Sequence, residues 1–136
     1  MSSLLNVSES AFLAFHGMVI LAKAAPEKVR IKSIAVELKA SEAHLAKVFQ
    51  RLQKTGLVKS TRGPAGGYNL VGSLEEINFL DIFEAVESKV NTKICPFGKL
   101  DCMYNTGCFD ANINDISNVV YDSFVKMKLS NYVQKK

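Results

Sequence analysis

Three cysteines stand at positions 95, 102 and 108 of a 136-residue chain. An odd count does not suit a secreted disulfide framework, and in a reducing compartment grouped cysteines bind metal or sense redox state. Thiolate sulfur is a soft donor, suited to iron–sulfur clusters and zinc. Structural zinc favours a closer Cys-x2-4-Cys pair, and the intervals here are wider. Two of the three could instead close a disulfide, a thiol switch that needs a stabilised thiolate. A cluster, a thiol switch, zinc and no role at all remain open.

A second set of residues suits a polyanion. From Lys28 to Arg62 nine basic residues face two acidic ones, Glu37 and Glu42. From Asn69 to Asp122 the balance reverses, with three basic residues against nine acidic. The first stretch could bind phosphates and the second would repel them. A solvated basic face is the plain alternative, and the elements beneath the charge decide between them.

Those elements read as helices followed by a hairpin. Ser8 to Ala24 has helical spacing, with Ser8 or Ser10 as cap and Ala11, Phe12, Phe15, Val19 and Ala22 on its inner stripe. Pro26 follows its end. A short second helix starts at Ser33. Ser41 caps a third, Glu42 to Lys54, with Leu45, Val48, Phe49 and Leu52 inside and Gly56 in the left-handed position beyond its end. The period then becomes extended. Leu57–Ser60 and Tyr68–Val71 flank the Gly/Pro-rich segment 61–67, which reads as a hairpin with a long tip. Asn78 caps a helix through Glu87. Asp110 to Met127 is helical again, with Ile113, Ile116, Val120, Phe124 and Met127 on one stripe.

Two short helices joined tightly and followed by a hairpin make a winged helix-turn-helix. The predicted class is therefore mainly α with a small β-hairpin wing, plus a long C-terminal dimerisation helix. The expected divisions are a DNA-binding domain over 1–88, a cysteine-bearing loop over 89–108, and the dimerisation helix and tail over 109–136. The third helix presents Ser41, Glu42, His44, Lys47, Gln50, Arg51 and Lys54 for base edges or phosphates. The wing adds Lys59, Arg62, Gly63, Gly66 and Gly67. Its glycines would take positive φ angles and let the backbone approach the duplex, and Arg62 could enter a narrow minor groove. The C-terminal stripe has no obvious place in such a domain and is expected against a two-fold partner.

The segment Thr55-Gly-Leu-Val-Lys-Ser-Thr-Arg-Gly-Pro-Ala-Gly-Gly-Tyr-Asn-Leu70 resembles the signature of the IscR/NsrR/CymR (Rrf) family of regulators. Ile77-Asn-Phe-Leu-Asp-Ile-Phe-Glu-Ala-Val-Glu87 is similar to the family's next helix, and Ala14-Phe-His-Gly-Met-Val-Ile-Leu-Ala22 to its first. The resemblance spans nearly the whole chain. It implies a homodimeric winged-helix transcription regulator on palindromic double-stranded DNA, a repressor responding to redox, nitrosative or iron–sulfur status. Family members that hold an iron–sulfur cluster do so on three cysteines placed like Cys95, Cys102 and Cys108. This chain departs from them in three ways. The first cysteine interval is one residue longer, Ala111 stands where one branch has a histidine ligand, and Cys95-Pro-Phe-Gly98 resembles members without a cluster. A fourth ligand would then be His16 or Glu9 from a partner's first helix, or Asp110.

Other functions find less support. No phosphate loop, nucleophile elbow or helical pair of metal-binding histidines is present, so no enzyme is expected. A thiol- or metal-based redox protein would want a Cys-x-x-Cys motif, which is missing. A winged-helix module that binds protein is the third alternative. No apolar run approaches the ~20 residues of a membrane span, and Met1–Asn6 does not begin a secretory signal, so a cytoplasmic, membrane-free protein is expected.

Overall fold

The computed structural model describes residues 7–90 and 109–133, with side chains of the last helix described from 112 onward. The order is α1 (Glu9–Ala24), α2 (Ile31–Leu38), α3 (Glu42–Lys54), β1 (Val58–Thr61), β2 (Gly67–Leu70), α4 (Phe79–Val86), α5 (Phe109–Lys126) and a 3-10 turn (Leu129–Tyr132). β1 and β2 pair antiparallel, Val58 opposite Leu70 and Thr61 opposite Gly67. This is the expected mainly helical winged fold with a C-terminal helix.

Local chemistry sets the helix ends. Ser8 caps α1 by accepting from the Ala11 N–H at 3.1 Å, and Ser41 caps α3 by accepting from His44 N–H at 3.2 Å. Asn78 and Asp81 form a reciprocal capping box on α4. Between α2 and α3, Lys39 takes a left-handed conformation at φ 53°, and Gly56 does so after α3 at φ 84°. α2 starts at Ile31, two residues before the expected start. Val29 pairs with Tyr68 through two backbone bonds of 2.9 and 2.8 Å, so the extended chain ends there and the helix begins at once.

The core forms where α1, α3 and α4 meet. Ala11, Ala14, Met18, Leu45, Phe49, Leu52 and Ile82 are fully or almost fully buried. Gly17 lies against the Phe49 ring so closely that a Cβ there would sit 2.8 Å from it. α1 departs from the expected single stripe. Leu13, Met18 and Leu21 are buried, while Phe12 is 51% exposed. The helix is apolar on most of its circumference, so one side fills the core and the side bearing Phe12 is left outward.

The C-terminal stripe also divides. Phe124 and Met127 pack on this chain's own core, with the Phe124 ring edge-on to Phe15 and Phe83. They are not reserved for a partner as expected. Ile113, Ile116 and Val119 project beyond that core, 46%, 57% and 65% exposed. After α5 the chain folds back. Leu129 is fully buried, its N–H donates to the Ile77 carbonyl at 3.0 Å, and Met127 accepts from Phe79 N–H at 2.9 Å. Burying one leucine contributes about 1.5–3 kcal/mol, enough to anchor the turn. No helix among the described residues is long and apolar enough to cross a membrane.

Candidate nucleic-acid interface

The four buried residues of α3 fix which side faces out. At 100° per residue, the side opposite Leu45, Val48, Phe49 and Leu52 carries Ala43, Lys47, Gln50 and Lys54, all exposed. This row is narrower than the seven residues expected from the sequence. Ser41 is the cap, and exposed Glu42 occupies the first turn, where a carboxylate suits the positive end of the helix dipole. Two expected contact residues turn elsewhere. His44 is half-buried, with Nε2 3.0 Å from Ser10 Oγ of α1. Arg51 donates from Nη1 to the Val86 carbonyl at 2.8 Å. On the opposite flank Ser60 Oγ donates to Gln53 Oε1 at 3.4 Å, joining α3 to β1.

The wing begins beside that flank. Lys59 is exposed opposite Asn69, and Arg62 is exposed at the turn out of β1. The glycines serve different ends. Gly63 adopts φ 100° with open space around it, as expected of a tip residue. Gly66 does not take a positive φ. A Cβ on it would lie 2.2 Å from the Thr61 carbonyl oxygen, so the tip is folded tightly on itself. Gly67, at φ 150°, passes so near Val29 that a Cβ would meet its backbone at 3.0 Å. Glycine is thus required at 66 by close packing within the protein, and at 67 by close packing together with the expected positive φ.

Arg30 escapes a reading of the sequence. It precedes α2, and its guanidinium Nη2 donates to the Pro64 carbonyl at the wing tip. Its charge was visible, but only the fold brings position 30 beside position 64. The outer row of α3 and the wing together thus present Lys47, Gln50, Lys54, Lys59 and Arg62. Such an array could hold phosphates while Gln50 or Lys47 reads base edges.

The other site residues lie apart from this surface. Glu9 and His16 are exposed on α1, two turns apart and therefore on the same side. His16 lines an apolar groove of about 440 Å³ with Phe12, Phe15, Val19, Phe124 and Tyr132. Cys95, Cys102 and Cys108 lie outside the described residues, as does the Asp110 side chain. Among the described residues no group of His, Cys, Asp and Glu is arranged to hold a metal.

Comparison with known proteins covers nearly the whole chain. The family model "Rrf2: Iron-dependent Transcriptional regulator" matches residues 7–135. The transcriptional regulator IscR of Cereibacter sphaeroides is 35% identical over 81 residues, 60% of this chain and 52% of that protein, so the match spans about half of its length. Among solved structures, CymR, the global cysteine regulator of B. subtilis, superposes with a TM-score of 0.76 at 26% identity. That match covers 93% of this chain and 95% of the other. T. potens IscR gives 0.76 at 25% identity, over 93% and 85%.

Proposed function

Because the chain belongs to the Rrf2 family of transcriptional regulators, we propose that it binds a palindromic operator as a homodimer and that its cysteine segment sets the operator affinity. The supporting observation for the DNA contact is the exposed row Ala43, Lys47, Gln50 and Lys54 beside Arg62 of the wing. In this reading α3 enters the major groove. Ser41 and Glu42 lie at its leading end, Lys47 and Lys54 hold phosphates, and Gln50 reads a base edge. Lys59, Arg62 and Gly63 follow the wing to the neighbouring minor groove, with Gly66 and Gly67 giving the tip its shape.

The homodimer is supported by surface with no place in a lone chain. Phe12, Ile113, Ile116 and Val119 are 46–65% exposed. Four large apolar side chains in that state suit a partner's apolar side chains better than water. An isologous two-fold pairing would place the two α3 helices in successive major grooves about 34 Å apart.

The signal reading rests on the donor set. The three thiolates of Cys95, Cys102 and Cys108 are the soft donors an iron–sulfur cluster takes, and His16 or Glu9 of a partner subunit, or Asp110, would complete the set. A bound cluster would supply redox- and nitric-oxide-sensitive chemistry; this chain's residues would supply ligation and the link to α4 and α5. The family model's description as iron-dependent favours this reading. The Cys-Pro-Phe-Gly segment favours the thiol switch. Anaerobic purification with iron and sulfide assays separates them, because only the cluster requires iron.

Salt dependence tests the DNA surface. Each phosphate contact contributes about 0.9 to the slope of log affinity against log salt. Lys47→Ala and Arg62→Ala should each weaken binding and lower that slope by about one unit. Parental affinity in both variants would remove this face from consideration.

A further inference from the structure

On the flank of α3 turned away from the wing, three hydrogen bonds close a ring among helices. Arg51 Nη1 donates to the carbonyl of Val86, the last residue of α4. The next residue, Glu87, accepts from the hydroxyl of Ser8, which caps α1. Ser10, in the first turn of α1, pairs with His44 in the first turn of α3. The helix carrying the DNA-facing row is thus held at its start by α1 and near its end by α4, and α1 and α4 are held to each other.

The Arg51 bond is the member best placed to control the angle of α3. It lies one turn past Lys47, where a small rotation about the His44 end moves Lys47, Gln50 and Lys54 together. Its acceptor is a carbonyl at the negative end of a helix, which favours a cation, and the bond is charge-assisted. Val48 and Leu52 are buried on the same helix, but apolar contact is non-directional, and the bond adds a directed constraint on orientation. Although the residue is exposed, its Nη1 is engaged with protein, whereas no such bond holds Lys47 or Lys54 among the described residues.

We propose that Arg51 is a positioning residue, fixing the pitch of α3 against α4 and holding no DNA phosphate itself. The proposal rests on α3 being the DNA-reading helix. A positioning residue and a phosphate ligand differ in salt response. Loss of a phosphate ligand lowers the slope by about 0.9, whereas loss of a positioning bond leaves the contacts in number and degrades their fit.

The test uses the full chain, its Arg51→Ala and Arg51→Lys variants, and Lys47→Ala as a phosphate-contact control. The probes are a duplex recovered from a random-sequence pool by the parent protein and a random duplex of equal length. We expect Arg51→Ala to lose about tenfold in affinity for the selected duplex, to bind the random duplex as the parent does, and to keep the parental salt slope. Arg51→Lys, which keeps the charge without the planar fork, should follow Arg51→Ala. A slope lowered by about 0.9 in Arg51→Ala, parental affinity in that variant, or full recovery in Arg51→Lys overturns the proposal. A DNA-free arm stands independently. Residual dipolar couplings of α3 and α4 should fit one orientation in the parent and in Lys47→Ala, but not in Arg51→Ala. If the parent fails to bind duplex DNA, the DNA-reading role of α3 fails, while the couplings still decide whether Arg51 fixes it. Couplings unchanged in Arg51→Ala refute the positioning role outright.

Discussion

Gly66→Ala should disable the wing while leaving the domain folded. The added Cβ would lie 2.2 Å from the Thr61 carbonyl oxygen, about 1.2 Å short of the 3.4 Å at which ordinary contact begins. It would also lie 2.8 Å from the Gly63 oxygen and 3.1 Å from the Arg62 carbonyl carbon. All three are backbone atoms, so no side chain can swing aside. Keeping the tip closed would cost about 1–3 kcal/mol of overpacking. Opening it costs less, chiefly the 2.9 Å bond from Gly66 N–H to the Gly63 carbonyl, worth about 1 kcal/mol. The exposed tip therefore opens, and the melting temperature falls by roughly 3–5 °C for a chain of this size. Arg62 adjoins the displaced backbone, and loss of one good contact costs about 1–3 kcal/mol, or roughly five- to 150-fold in affinity. If that contact is to phosphate, the parent should lose about 3.5-fold more affinity than the variant between 50 and 200 mM salt. Fluorescence anisotropy on a selected duplex measures both quantities. A Gly66→Ala protein with parental affinity and parental slope would refute the role given to the wing tip.

Gly17→Ala should destabilise the fold by up to about 2 kcal/mol in urea unfolding. Overpacking costs about 1–3 kcal/mol, the helix gains about 1 from alanine, and the Phe49 ring struck at 2.8 Å is itself held against Tyr68 at 5.1 Å between centroids. Ile116→Arg should leave helicity unchanged but convert a dimer to a monomer in sedimentation at micromolar concentration, because it places a charge on the exposed apolar row. In Cys102→Ala the affinity should no longer change on exposure to oxidant or nitric oxide; a parental response would make that cysteine a bystander.

What could be read without the fold was local. Ser41, Asn78 and Gly56 announced helix ends because capping depends on one residue and its near neighbours. The inner stripe Leu45, Val48, Phe49 and Leu52 followed from period alone. What escaped depended on distant partners. The 3-10 turn at Leu129 has no periodicity of its own and exists because Ile77 and Leu74 accept from it. Phe12 lies three residues after Glu9 and four before His16, on their exposed side of α1, and its apolar side chain alone suggested the core. Arg51 and Lys47 look alike in a helical projection, but Val86 captures one and nothing described captures the other. The same limit applies to Arg30, whose partner Pro64 is 34 residues away.

Hydroxyl-radical footprinting on a duplex selected by the parent protein, with the mass of the complex determined alongside, tests the central claim most directly. The account predicts two copies of the chain per duplex and two symmetric protected sites about 10–10.5 base pairs apart, or a multiple of that. Both protections should weaken in parallel in Lys47→Ala and Arg62→Ala. One copy bound to one protected site, or protection unaltered in both variants, would contradict a two-fold regulator that reads DNA with α3 and its wing.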